Sequence, residues 1–186
     1  DYDSSKSDYF EVTYFPDTYL IPIKDAPTDV ALRLKSRFNE ELTKHSSDLT
    51  RQNIKWTTAL KIASIIQREA AGKKDMPLIA GIVWNRLLQN MKLDIDATLQ
   101  YARGDNGDGW WAPLMAEDKN IDSPYNTYLY AGLPPHPIGN PGADAMLAAL
   151  NPQKTNCLYY LHDNNGAIHC SPTYEGHITN IQKYLR

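Results

Sequence analysis

Between residues 58 and 71 apolar side chains return every three or four positions, and a chain with that pattern must bury one helix face in a core. On a helical wheel Ala59, Ile62, Ala63, Ile65, Ile66 and Ala70 define one arc, with Lys61, Ser64, Gln67 and Arg68 outside it. Gly72 is the expected stop. One charged residue breaks the pattern: Glu69 falls inside the arc, between the directions of Ile62 and Ile65. A carboxylate facing apolar surface loses hydration, which raises its pKa. A carboxylic acid that stays protonated near neutral pH can donate a proton to a leaving oxygen. The blander reading is a Glu at the rim of the arc, turned to water or paired with Lys73, and the wheel alone leaves both open.

The rest of the chain arranges itself around this helix. Residues 9–23 alternate aromatic, β-branched and polar side chains about Phe15-Pro16-Asp17-Thr18-Tyr19, which predicts short strands around a turn. Thr28 is the expected cap of a helix over 28–44, with Val30, Leu34, Phe38 and Leu42 at helical spacing. Polar residues 45–53 read as a loop, and Pro77 opens a helix over 77–90. A Gly- and Asp-rich loop over 104–109 leads into Trp110-Trp111, and five prolines make 122–141 irregular. A short helix over 142–150, a hairpin around Asn165-Gly166 and a helix over 174–185 close the chain. Helices and hairpin strands mix without βαβ alternation, so the class is α+β, with one domain over 1–186.

Cys157 and Cys170 flank the hairpin, and a cross-strand disulfide requires that the register bring them together. A two-residue turn at Asn165-Gly166 would instead pair Cys170 with Leu161, so spacing leaves the question open. His162, His169, Cys170 and His177 offer zinc-ligand types, but their spacing matches no compact ligand motif, and no metal or cofactor is expected. A net charge of −3 without a basic block argues against nucleic acid as partner. Twelve Tyr and four Trp against three Phe favour flat, wet ligands such as sugars over a purely apolar ligand, although such residues also edge ordinary cores. No stretch reaches the roughly 20 apolar residues that span a bilayer. The chain itself holds no signal-peptide pattern, and its opening at Asp1-Tyr2-Asp3 reads as the interior of a longer protein.

The run Ile62-Ala63-Ser64-Ile65-Ile66-Gln67-Arg68-Glu69 resembles the catalytic helix of the YceG-like (MltG) endolytic murein transglycosylases. The likeness continues through Asn85-Arg86-Leu87, Met91-Lys92-Leu93-Asp94-Ile95-Asp96-Ala97-Thr98-Leu99-Gln100-Tyr101 and Asp122-Ser123-Pro124-Tyr125-Asn126-Thr127-Tyr128. It then takes in Gly132-Leu133-Pro134-Pro135-His136-Pro137-Ile138-Gly139-Asn140-Pro141-Gly142 and Ala148-Ala149-Leu150-Asn151-Pro152. Each motif is weak, whereas the ordered set is specific.

The resemblance implies cleavage of the β-1,4 bond between N-acetylmuramic acid and N-acetylglucosamine inside a glycan strand, leaving a 1,6-anhydro end. Glu69 matches the family's catalytic Glu, acting first as acid and then as base. Asn126, Thr127 and Tyr128 are expected to hydrogen-bond acetamido and hydroxyl groups, and Tyr101 and Tyr128 to stack on rings. Gln100 and Asp96 complete the expected substrate-binding set. Gln67, Ala70 and His136 stand where the family commonly has Glu, Thr and Gly, and His136 bears on cleft width. Full-length members carry an N-terminal membrane helix and a LysM-like subdomain, both largely outside this sequence. The resemblance therefore implies a monomeric domain tethered at the outer face of the cytoplasmic membrane, with glycan strands and cell-wall synthases as partners. Two other readings stay in view: a muramidase using water with Asp94 or Asp96, and a glycan-binding module without catalysis.

Overall fold

The computed structural model describes residues 11–186. Its elements run α1 (Pro27–Lys44), α2 (Ser46–Gln52), α3 (Trp56–Glu69), α4 (Met76–Leu88), α5 (Asp96–Arg103), α6 (Ala143–Leu150), β1 (Tyr159–His162), β2 (Ile168–Ser171) and α7 (Tyr174–Tyr184). Short 3₁₀ turns lie at Glu11–Thr13 and Ala116–Asn120. Among the described residues the fold is thus mostly helical, with one antiparallel hairpin near its C-terminal end packed against α7.

The patterned helix is the centre of the molecule. α3 packs against α4, α5 and α6, and Ile62, Ile65 and Ile66 have no exposed surface. Ile79 of α4, Leu99 of α5, Ala149 of α6 and Ile138 of the proline-rich segment are equally enclosed. Each large side chain in this core contributes about 1.5–3 kcal/mol by leaving water. Ser64, expected outside the arc, is also buried: its hydroxyl donates to the Lys61 carbonyl and accepts from the Ile138 amide at 3.0 Å. A small polar residue thereby fastens the proline-rich segment onto α3.

α4 meets the chain after α6 with no room to spare. The Gln153 amide donates to the Pro77 carbonyl at 2.8 Å, and a β-carbon on Gly81 would overlap the Gln153 carbonyl oxygen. Gly81→Ala is therefore expected to cost about 1–3 kcal/mol, as overpacking does in a rigid core. Thermal unfolding checks this, and an unchanged midpoint would mean that the 152–155 segment yields freely.

Four expectations change. Tyr9 and Phe10 lie outside the described residues, and over 11–23 the alternation makes no strand but a 3₁₀ turn followed by irregular chain. This segment is held by side chains, with the Tyr14 amide donating to Asn140 and Arg37 paired with Asp17 at 2.8 Å. Ala26, not Thr28, precedes α1, and the Asp29 carboxylate accepts from the Ala26 amide. Within the expected loop 45–53, Ser46–Gln52 form α2; its side chains are not buried, and Gln52 ties it to the Leu150 carbonyl. α3 ends at Glu69, with Ala70 already extended (ψ 133°), before Gly72 is reached.

The hairpin turn also differs. Its connection spans 163–167, where the Asp163 carboxylate accepts from the Asn165 and Ala167 amides. The register therefore pairs Tyr160 with Cys170 and Leu161 with His169. Cys157, just upstream of β1, forms a disulfide with Cys170. No described helix is long and apolar enough to cross a membrane.

Candidate active site

Glu69 is the last residue of α3, where the buried arc emerges from the core. Its Oε2 accepts a hydrogen bond from the Tyr160 hydroxyl at 2.6 Å. The Ala97 amide, in the first turn of α5 where helix N–H groups have no partner within the helix, faces the same carboxylate and favours its charged form. Burial is the largest influence and raises the Glu69 pKa; neighbouring Asp96 adds to it, while Tyr160, Ala97 and His162 pull the other way. Lys73 pairs with Asp144 at 2.7 Å, so it does not neutralise Glu69.

A cleft of about 480 Å³ opens beside this carboxyl group. One wall is the link from α4 to α5, with Asp94 in the left-handed region (φ 52°) and Asp96 at the start of α5. Opposite, Tyr159 and Tyr160 come from β1, and Tyr174 and His177 from α7. Tyr128 and Lys119 complete it: the Tyr128 hydroxyl donates to Asp96 Oδ1, and the Lys119 ammonium lies 4.5 Å from the Tyr128 ring centre. Burial and the Asp96 carboxylate keep the Tyr128 phenol protonated.

Arg86 joins the two walls from below. Its Nε donates to the Leu158 carbonyl at 2.6 Å, and its Nη1 to the Lys92 and Leu93 carbonyls and to Asp94. Its guanidinium lies 5.0 Å from the Tyr159 ring, which in turn stacks on His177 at 5.6 Å. Burial and the Arg86 charge lower the His177 pKa, favouring the neutral imidazole.

A half-buried carboxyl group at a helix end thus faces a polar and aromatic cleft, an arrangement suited to proton transfer. The YceG-like family model matches residues 2–183. The chain belongs to the YceG-like family. A protein named endolytic murein transglycosylase from Bacillus subtilis is 36% identical over 174 residues, covering 92% of this chain and 47% of its own length. One of the same name from Streptococcus pneumoniae serotype 2 is 33% identical over 175 residues, again 92% of this chain but 31% of its own length. The crystal structure of a YceG-like protein from Listeria monocytogenes matches with a TM-score of 0.85 at 32% identity, over 95% of this chain and 57% of that one. This chain thus spans less than half the length of either named transglycosylase. The resemblance carried by the motifs is borne out.

In this YceG-like chain the expected site residues separate into two groups. Glu69, Asp96 and Tyr128 meet in the cleft. Asn126 is fully enclosed: its Nδ2 donates to the Lys119 and Ile121 carbonyls and its Oδ1 accepts from the Tyr128 amide. Thr127 is buried too, its hydroxyl accepting from the Ile95 amide and donating to the Thr98 hydroxyl, whose own proton goes to the Ile95 carbonyl. Gln100 donates to the Trp111 and Ala112 carbonyls, and Tyr101 packs against Tyr125 and Trp110. These four lie off the cleft and build the ground on which Tyr128 and α5 stand.

Sequence reasoning missed Tyr160, Arg86, Tyr159, His177 and Lys119. Strand alternation held a signal for one of them, since Tyr160 and His162 share a face of β1 and their rings meet edge to face at 5.9 Å. The metal-ligand types disperse: Cys170 is in the disulfide, His162 pairs with Asp75, His169 with Asp163, and His177 stacks on Tyr159. Among the described residues no group of three or more His, Cys, Asp and Glu could hold a metal ion.

Proposed function

We propose that this chain cleaves peptidoglycan glycan strands internally, at the β-1,4 bond from N-acetylmuramic acid to N-acetylglucosamine, and leaves a 1,6-anhydro end. Glu69 gives its proton to the departing glucosamine oxygen as the bond to the muramyl anomeric carbon breaks. The muramyl 6-hydroxyl then forms a bond to that carbon and returns its proton to Glu69, so one carboxyl group serves both steps. The single observation that carries this reading is the desolvated Glu69 carboxyl, poised between burial, which favours the acid, and the Tyr160 and Ala97 donors, which favour the carboxylate.

A muramidase needs a second carboxylate free to activate water or to attack. The two candidates are engaged: Asp94 by Arg86 at 3.0 Å, and Asp96 by the Tyr128 hydroxyl. Tyr128 and Asp96 line the place beside Glu69 where hydroxyl and acetamido groups would lie. Asn126, Thr127, Gln100 and Tyr101 support the substrate indirectly, through the loop and helix they hold. The natural setting of such a reaction is the outer face of the cytoplasmic membrane, beside the synthases that extend the strands.

Mass spectrometry of the products from purified glycan strands tests this. Anhydro-muramyl ends are the expected result. Reducing muramyl ends would make the enzyme a hydrolase, and binding without any cleavage would make it a glycan-recognition module.

A further inference from the structure

The hydroxyl of Tyr160 exchanges no proton with the substrate in the reaction just described, yet it lies 2.6 Å from the one carboxyl group that does the chemistry. A phenol in a dry site must donate its proton somewhere, and Glu69 Oε2 receives it. Tyr160 is half-buried, and desolvation of its hydroxyl with the adjoining Glu69 charge holds its pKa well above the usual phenol range, so it remains a donor throughout the working pH range. A carboxylic acid carries its proton on one oxygen. With Oε2 accepting from Tyr160, the proton that can leave resides on the other oxygen.

We infer that Tyr160 is a positioning residue, whose hydroxyl holds Oε2 of Glu69 and turns Oε1, with the transferable proton, toward the cleft. This rests on the proposed acid/base role of Glu69. The same contact acts on the return step. Once Glu69 has lost its proton, the Tyr160 hydroxyl and the Ala97 amide stabilise the carboxylate until the 6-hydroxyl proton arrives. Tyr160 itself is fixed from behind: it sits opposite the disulfide-bonded Cys170 in the hairpin, and its ring meets His162, which is held by Asp75 at 3.2 Å. The other groups that face Glu69 are Asp96 from α5, which raises its pKa, and His162 from β1, which lowers it; Glu69 in turn acts on Tyr128 across the cleft.

Tyr160→Phe preserves ring volume and removes only the donor. Two measurements test it. A ¹³C NMR titration of the Glu69 carboxyl, made without substrate, is expected to show its midpoint moved to higher pH in Tyr160→Phe. The pH profile of strand cleavage is expected to show its alkaline limb moved the same way, with kcat reduced about tenfold and KM unchanged, the scale of losing a hydrogen bond to a charged group. A merely structural tyrosine would lower thermal stability and move neither midpoint, and that result overturns the inference. The titration also separates this inference from the proposed reaction: an absence of anhydro products in the wild type sinks the reaction, while the Glu69 midpoint still reads the effect of Tyr160.

Discussion

Glu69→Gln is expected to lower the rate of glycan-strand cleavage by about 10³-fold or more, within the range of removing a positioned general acid. Glutamine keeps the carbonyl oxygen that Tyr160 and Ala97 address, so the cleft keeps its shape and strand binding is retained. The substitution also has a signature in stability. Burial raises the pKa of Glu69 in the folded state, so the fold is relieved when the group is protonated and loses that relief as pH rises from the ordinary carboxylate range through the raised value. Glutamine has no charge to desolvate. The variant should therefore be more stable than the wild type on the alkaline side, with the gap closing toward pH 4, while being nearly inactive throughout. Chemical denaturation at several pH values, beside product analysis, measures both. Retained cleavage in Glu69→Gln would transfer the acid role to another residue of the cleft.

The second large effect is expected at Arg86. Its side chain is 8% exposed and binds three backbone carbonyls and one carboxylate, reaching the link to α5 on one side and the residue before β1 on the other. Arg86→Met fills much of the same space but leaves those acceptors unsatisfied. The expected cost is about 3–5 kcal/mol, the scale of breaking a buried charged network. Urea denaturation should show a lower midpoint at an unchanged slope. Lysine would recover little, because one ammonium on a flexible stem cannot reproduce the guanidinium fork. A loss below about 1 kcal/mol in Arg86→Met would mean that water replaces the guanidinium and that the two cleft walls stand independently.

The sequence made α3 and Glu69 legible because a helix that is buried on one face writes its environment into a 3.6-residue period, and Glu69 violated that period. What escaped followed from contacts that have no period. Ser64 entered the buried face because a distant backbone amide, at Ile138, met its hydroxyl. Residues 46–52 became helical although none is buried, with Gln52 bonded to the carbonyl at the end of α6. Residues 11–23 alternate like a strand, but Val12 and Phe15 are buried from a turn and an irregular stretch, with no neighbouring strand among the described residues. The cleft itself was half visible. Tyr128 and Asp96 were read from their motifs, and the Asn126 and Thr127 side chains beside them turned inward to the backbone. Tyr160 was hidden by a register one residue out, which sends each side chain of a strand to the opposite face.

The Cys157–Cys170 bond gives the cleft a dependence on where the chain resides. Such a bond persists where thiols are oxidised and is lost among cytoplasmic reductants. It closes a short loop, a constraint worth about 3 kcal/mol on the chain-entropy scale, and it is anchored directly across from the strand position that touches Glu69. While reduced, the hairpin holds Tyr160 by hydrogen bonds and packing alone. After oxidation it holds the same residue covalently. In an oxidising compartment the hairpin beside Glu69 thus gains a covalent tie that a reducing one would withhold, so the stiffness of the cleft follows the redox state around it.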